Sequence, residues 1–177
     1  MILYELSAPI SNLKGIGPSY AKKMTRLEIF SIGDLLSFFP RSYEDRSQKR
    51  DFASAFNGET VNTRAKVLHH EYIGRGPKKT LKVYVADDSG QAVLVCFGRN
   101  FLAEKLRPGN EIYLYGFFSI RYGELQCTNF DFEYVGGKAK RFGKILPVYP
   151  LTEGLSQYNI RGIMERGLNQ FGRYIED

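Results

Sequence analysis

Residues 100–110 read NFLAEKLRPGN, and the segments on either side give this stretch its weight. It has room for two or three helical turns, which Pro108 and Gly109 must end before the chain turns into the next extended segment. Ahead of it, residues 60–72, 79–87 and 91–97 alternate in the two-residue period of strands; behind it, residues 110–120 and 123–134 do the same. ADDSGQ at 86–91 and IRYGEL at 120–125 read as tight hairpin turns, with Gly90 and Gly123 available for positive φ. Three strands, a short helix and two strands is the order of an OB-fold, a small barrel whose middle strands and first and last hairpin loops commonly grip oligonucleotides.

The flanks read differently. From residue 13, LKGIGPSYAKKM places Pro18 at the start of a helix after a glycine-rich turn, with Ala21, Met24 and Leu27 at helical spacing. Ser31 caps a second helical run carrying Leu35, Leu36 and Phe39, and Pro40 stops it. RSYEDRSQKR at 41–50 is dense in charge without an apolar period, which predicts a connection over the surface. Beyond the strands, GGKAKRFGK at 136–144 reads as a flexible basic linker, and Ser156 caps a last helix with Ile160, Ile163, Met164 and Leu168. The expected class is α+β, mainly β. Residues 1–50 form an N-terminal helical segment, 51–137 a five-stranded OB-fold barrel, and 138–177 a basic linker and helix.

Composition narrows the function. The chain of 177 residues has 25 Lys and Arg against 19 Asp and Glu, a net charge of +6, which suits a polyanionic partner. Phe and Tyr number 13 and 12, more rings than one small core needs, so some are expected at the surface. No apolar run approaches the ~20 residues of a membrane span, and MILYELSAPI lacks a basic leader, so the expected location is the cytoplasm and no membrane is a partner. Cys96 and Cys127 lack metal or redox spacing and read as core residues, while His69 and His70 point to opposite faces of a strand, so no metal site is expected. No GxxxxGK[ST], GxSxG or HExxH motif is present, and Asp87 and Asp88 before Ser89 and Gly90 are turn residues, so no catalytic residue is assigned.

Where the third strand ends, VLVCFGRNF at 93–101 brackets Arg99 with Phe97 and Phe101. Rings flanked by cations suit unpaired nucleic acid, since any base stacks on a ring while Arg or Lys neutralises phosphate. The same rings would equally plug the barrel end. Phosphate contacts are expected from Arg64 and Lys66 on the first strand, from Arg75, Lys78 and Lys79 in the first hairpin loop, from Arg99 and Lys105, and from Arg121 in the last hairpin. Tyr84 and Tyr122 are further candidate contacts. Asn62, Arg64, Lys66 and His70 would form the polar face of the first strand, extended by Lys82 and Tyr84 on the second. Gly15 and Gly17 resemble the turn of a helix-hairpin-helix motif, whose amides donate to phosphate, though a helix start with glycines at a tight bend is the simpler account.

LKGIGPSYAKKM (13–24), DLLSFFPRSYEDRS (34–47), the barrel with CFGRNFL (96–102) and ILPVYPLTEGLSQYNIR (145–161) together resemble the N-terminal region of the RecG family of ATP-dependent branched-DNA helicases. The resemblance covers essentially the whole chain. It implies a wedge domain, an OB-fold held against replication forks and Holliday junctions, with Phe97 and Phe101 at the positions that stack on bases where strands part. It also implies action in recombination and fork repair, binding of branched and single-stranded DNA, contact with single-stranded DNA-binding protein, and a monomer. ATP and Mg would belong to motor domains outside this sequence, so the chain is expected to be a fragment without cofactors of its own. Members often carry Trp where Cys96 stands and Asn where Gly98 stands. A rival reading is an OB-fold interaction module whose basic groove takes an acidic peptide, such as the tail of a single-stranded DNA-binding protein.

Overall fold

Alternating burial along the central strands builds a barrel, seen in a computed structural model that describes residues 4–56, 58–76, 79–137 and 141–175. Strands β2 (Glu59–Ile73), β3 (Thr80–Ala86), β4 (Gln91–Cys96), β5 (Glu111–Arg121), β6 (Glu124–Cys127) and β7 (Phe130–Tyr134) form one sheet in the order β2-β3-β4-β6-β5-β7, and an extra β2–β5 pairing closes it. Val61, Ala65, Val67, Leu81, Val83, Val85, Leu94, Ile112, Leu114 and Phe118 fill the interior, each at most 2% exposed. Burial of this apolar surface is the main force holding the barrel together. Helix α3 (Leu102–Lys105) plugs one end through Leu102 and Leu106.

The last expected strand is two. Both β6 and β7 pair with the same edge of β5, β6 against Ser119–Arg121 and β7 against Ile112–Gly116. The break at Thr128–Asn129 lets β6 pair in parallel with β4 and so join β4 to β5 within the sheet. It folds tightly over Gly116, where a Cβ would lie 2.8 Å from Cys127 Sγ and 3.1 Å from the Asn129 carbonyl oxygen. The helix is also shorter than expected, a single turn. Tyr134 and Asn110 donate side-chain hydrogen bonds of 2.7 and 3.1 Å to the Lys105 carbonyl, taking it out of the helical ladder.

The two hairpin turns use different chemistry. Tyr122 and Gly123 both have positive φ, 53° and 78°, the type I′ pattern that matches strand twist. Gly90 does not. At that turn Asp87 Oδ1 accepts from the Ser89 and Gly90 amides and from the Ser89 hydroxyl, holding the loop without a left-handed residue.

The 41–50 segment is not a loose connection. Ser42–Asp45 is strand β1, paired with β8 (Ile145–Val148) in a two-stranded sheet. Arg46 is buried at 4%, with its guanidinium 3.9 Å from the Tyr115 ring centroid and ion-paired to Asp131 at 2.8 Å. Asn62, expected on an open polar face, is buried because its side-chain amide donates to the carbonyls of Arg46 and Gln48 at 2.9 and 2.7 Å. The end of the expected linker is fixed as well. Arg141 pairs with Asp131 and Glu133, and Phe142, 6% exposed, stacks on Tyr113 at 5.6 Å. Residues 138–140 lie outside the described residues.

The chain divides into two units, residues 45–145 with the barrel, and residues 1–44 together with 146–177. Residues 45–50 and the end of the expected linker up to Ile145 thus go with the barrel, while most of the first and last expected segments share one unit. Its helices are α1 (Pro18–Thr25), α2 (Ile32–Leu36) and α4 (Gln157–Phe171), preceded by a 3-10 turn at Ile10–Asn12. Reciprocal capping boxes start α2, through Ser31 and Asp34, and α4, through Ser156 and Asn159. Met24, Ile29, Ile32, Leu35, Ile160, Ile163 and Met164 form the core. Phe39 falls beyond α2 and is exposed, because the helix ends at Leu36.

Candidate nucleic-acid interface

Strand alternation from β4 carries Val93, Val95 and then Phe97 onto the outer side of the barrel. The first two are covered, at 3% and 5% exposure, whereas Phe97 is 65% exposed and Phe101 58%. The rings therefore face solvent and do not plug the barrel. Between them Gly98 takes φ +62°, in the left-handed region that Gly and Asn adopt most readily. Arg99 fixes the base of this tip: its guanidinium donates to the Thr128 carbonyl and lies 5.0 Å from the Phe130 ring centroid. The Lys105 ammonium lies 5.7 Å from the Phe101 ring.

Register brings the β2–β3 loop to the same end, since Leu81 at the start of β3 stands opposite both Tyr72 and Cys96. There Tyr72 and Ile73 are 44% and 47% exposed, the Lys79 ammonium lies 4.3 Å from the Tyr72 ring, and Arg75 is exposed. Asn100 Nδ2 donates to the Lys79 carbonyl at 3.1 Å, joining loop and tip. The structure thus groups Phe97, Phe101, Arg75, Lys79, Arg99 and Lys105. Sequence reasoning missed Tyr72, Ile73 and Asn100; the apolar end of the first strand and the asparagine inside FGRNF were the available signals. Lys78 lies outside the described residues.

The remaining candidates lie elsewhere. Lys66 pairs with Ala86, at the end of β3 away from the loop, and Arg64 beside it donates to Glu111. Because β6 runs parallel to β4 with Val93 opposite Gln126, the hairpin bearing Arg121 and Tyr122 stands at the start of β4, opposite the tip. Tyr122 is 98% exposed there, beside a cleft of about 280 Å³ lined by Phe56, Ile120 and Leu125 among others. Tyr84 is already engaged: its hydroxyl shares its one proton between the carboxylates of Glu71 and Glu124, at 2.8 and 3.0 Å, and its ring stacks on His69. Burial and these two carboxylates raise its pKa. His70 leaves the polar face, with Nε2 2.5 Å from the Leu106 carbonyl. Gly15, with φ +86°, and Gly17, the N-cap of α1, belong to the helical unit, where the Arg166 guanidinium lies beside Gly15.

Among the described residues no group of three or more His, Cys, Asp and Glu could hold a metal ion, and no helix is long and apolar enough to cross a membrane. Both cysteine thiols are buried in the barrel and pushed up to about 11 by burial.

The family described as the RecG wedge domain matches residues 9–171. The chain belongs to the RecG wedge-domain family. It is 40% identical to the ATP-dependent DNA helicase RecG of Treponema pallidum over 97% of this chain and 25% of that protein. With RecG of Borreliella burgdorferi it shares 33% identity over 98% of the chain and 26% of the relative. The chain therefore spans about a quarter of the length of these relatives. A solved structure of RecG bound to a three-way DNA junction superposes with a TM-score of 0.79 and 32% identity, covering 90% of this chain and 22% of that one. In this wedge domain the exposed phenyl pair and its four neighbouring cations make up the tip of the barrel.

Proposed function

We propose that this wedge domain binds branched DNA, forks and Holliday junctions, and separates strands passively as part of a RecG-like ATP-dependent helicase acting in recombination and fork repair. The observation that carries the reading is the tip itself. Phe97 and Phe101 are 65% and 58% exposed, with Lys105 5.7 Å from the Phe101 ring and Lys79 on the loop tied to the tip by Asn100. An unpaired base stacking on such a ring gains ~1–3 kcal/mol, whereas a base within a duplex has its faces covered by its neighbours. Arg75, Lys79, Arg99 and Lys105, with Lys78 beside them in sequence, neutralise phosphates of the strand held there.

In this reading the rings rest against the last exposed bases of the parental duplex and keep the parted strands from pairing again. Arg121 and Tyr122 would meet DNA at the other end of β4, Arg64 and Lys66 would meet it on the β2–β5 face, and Gly15 and Gly17 would do so from the helical unit. The domain works as a monomer, with single-stranded DNA-binding protein as a candidate neighbour. ATP and Mg serve motor segments of the helicase; no residue of this sequence forms a phosphate loop that fits them.

The test is titration of labelled fork and blunt duplex at two salt concentrations, with the wild-type chain and with Phe97→Ala/Phe101→Ala. Fork binding should weaken about tenfold or more in the variant, duplex binding far less, and both should fall steeply with salt. Equal loss on fork and duplex would overturn the stacking role.

A further inference from the structure

The outer face of β3, β4 and β6, which an OB-fold commonly offers to a strand, is roofed in this chain. Lys82 Nζ and the Tyr84 hydroxyl reach from β3 to the Glu124 carboxylate on β6, at 2.5 and 3.0 Å. β4 lies between these strands, with Val95 opposite Lys82 and Val93 opposite both Tyr84 and Gln126. Gln126 also donates to Glu124 at 2.7 Å, and Tyr84 donates to Glu71 at 2.8 Å. This lattice explains why Val93 and Val95 are only 3% and 5% exposed although they point outward.

The roof is hostile to a nucleic-acid strand in three ways. Its one aromatic ring is stacked on His69 at 4.3 Å, and its hydroxyl is held by two carboxylates. Lys82 is ion-paired to Glu124 at 2.5 Å, and Arg121 stands opposite the same residue across the β5–β6 ladder. The carboxylates of Glu71 and Glu124 cancel the charges of Lys82 and Arg121, so a phosphate crossing β4 meets no net attraction and two like charges.

We propose that Glu71 and Glu124 are specificity-determining residues that exclude the phosphate backbone of single-stranded DNA from the β3–β4–β6 face, confining an unpaired strand to the Phe97–Phe101 tip. The proposal deepens the reading above and rests on it for where the strand is held. Along one stripe of β4 the side chain changes from roofed valine to open phenylalanine, so at this end of the strand a base finds its landing past the edge of the roof.

The experiment measures binding of a labelled oligothymidylate and a labelled fork, at low and raised salt, by wild type and by Glu71→Gln/Glu124→Gln. The double variant should bind oligothymidylate roughly fivefold more tightly at low salt, with the gain shrinking as salt screens it. Fork binding should change less, so the preference for fork falls. Unchanged or weaker oligothymidylate binding by a chain with native thermal unfolding would overturn the proposal.

Tyr84→Phe removes both hydroxyl bonds and keeps both charges, and should leave oligothymidylate binding unchanged. A gain as large as that of the charge variant would show that opening the roof, and not its charge, is responsible, and would also overturn it. Should the double variant not fold, Glu71→Gln alone should give a smaller gain of the same sign, and no gain would count against the proposal. Failure of the stacking role shows separately, as unchanged fork binding by Phe97→Ala/Phe101→Ala.

Discussion

Asn100 holds Lys79 by its backbone: the asparagine Nδ2 donates to the lysine carbonyl at 3.1 Å across 21 residues of sequence. Through this bond the turn that carries Phe97 and Phe101 and the loop that carries Arg75 and Lys79 present one surface. The other half of the amide is unused among the described residues, where Asn100 Oδ1 is buried without a hydrogen-bond partner. A buried acceptor of that kind costs about 1–3 kcal/mol, so the residue suits placement of the loop better than stability.

That asymmetry makes Asn100→Ala informative. The substitution removes one hydrogen bond and one orphaned oxygen together, so unfolding free energy in urea should move by less than about 1 kcal/mol. Fork affinity should nevertheless drop about threefold or more, because the cations of the loop lose their fixed position beside the rings and ordering them on binding costs entropy. Fluorescence anisotropy with a labelled fork checks this; wild-type affinity would mean that loop and tip act independently.

Asp87 contributes to the stability of the barrel in acid. It accepts from the Phe52 amide and the Thr63 hydroxyl, both at 3.0 Å, as well as from Ser89 and Gly90. Burial by itself would raise its pKa, but the bonds from Ser89, Phe52 and Thr63 outweigh burial and hold it below the ordinary aspartate value. A depressed pKa contributes stability that is complete above the unfolded value of about 3.9 and is lost as pH falls through the lower folded value. Asp87→Asn, which turns an acceptor into a donor facing other donors, should cost about 2 kcal/mol at neutral pH. The gap between wild type and variant in urea unfolding should stay constant down to about pH 5 and close below about pH 4.

Much of the barrel was legible because its signals are local. The two-residue period of β2 to β5, the turn chemistry at Asp87 and Gly123, and the serine caps of α2 and α4 are each written within a few residues. The exposed phenyl pair was half legible: the motif announced rings beside a cation, but period alone could not tell an outward ring from a plug. What escaped reading depends on partners far away in sequence. Arg46 looks like a solvated charge until Asp131 and Tyr115 surround it, Asn62 looks like a polar face until it takes the carbonyls of Arg46 and Gln48, and Tyr84 looks free until Glu71 and Glu124 hold it. The break in the last strand was invisible for a related reason, since it depends on Gly116 making room across the sheet.

Arg46 gives the sharpest test of how the charged 41–50 segment is held. Its guanidinium lies between the rings of Tyr115 and Phe142, at 3.9 and 5.6 Å, and shares Asp131 with Arg141, at 2.8 and 2.7 Å. Arg46→Met keeps much of the volume and leaves Asp131 its bond to Arg141, so the loss should be about 2 kcal/mol, below the ~3–5 kcal/mol typical when one partner of a buried pair is removed. Asp131→Asn removes the carboxylate from two guanidiniums at once, one of them only 4% exposed, and should cost more than Arg46→Met, about 3 kcal/mol or above. Urea unfolding of both variants fixes the order. If Arg46→Met proved the more damaging, the rings and not the carboxylate would be what holds the arginine, and the segment would be anchored chiefly by cation–π contact.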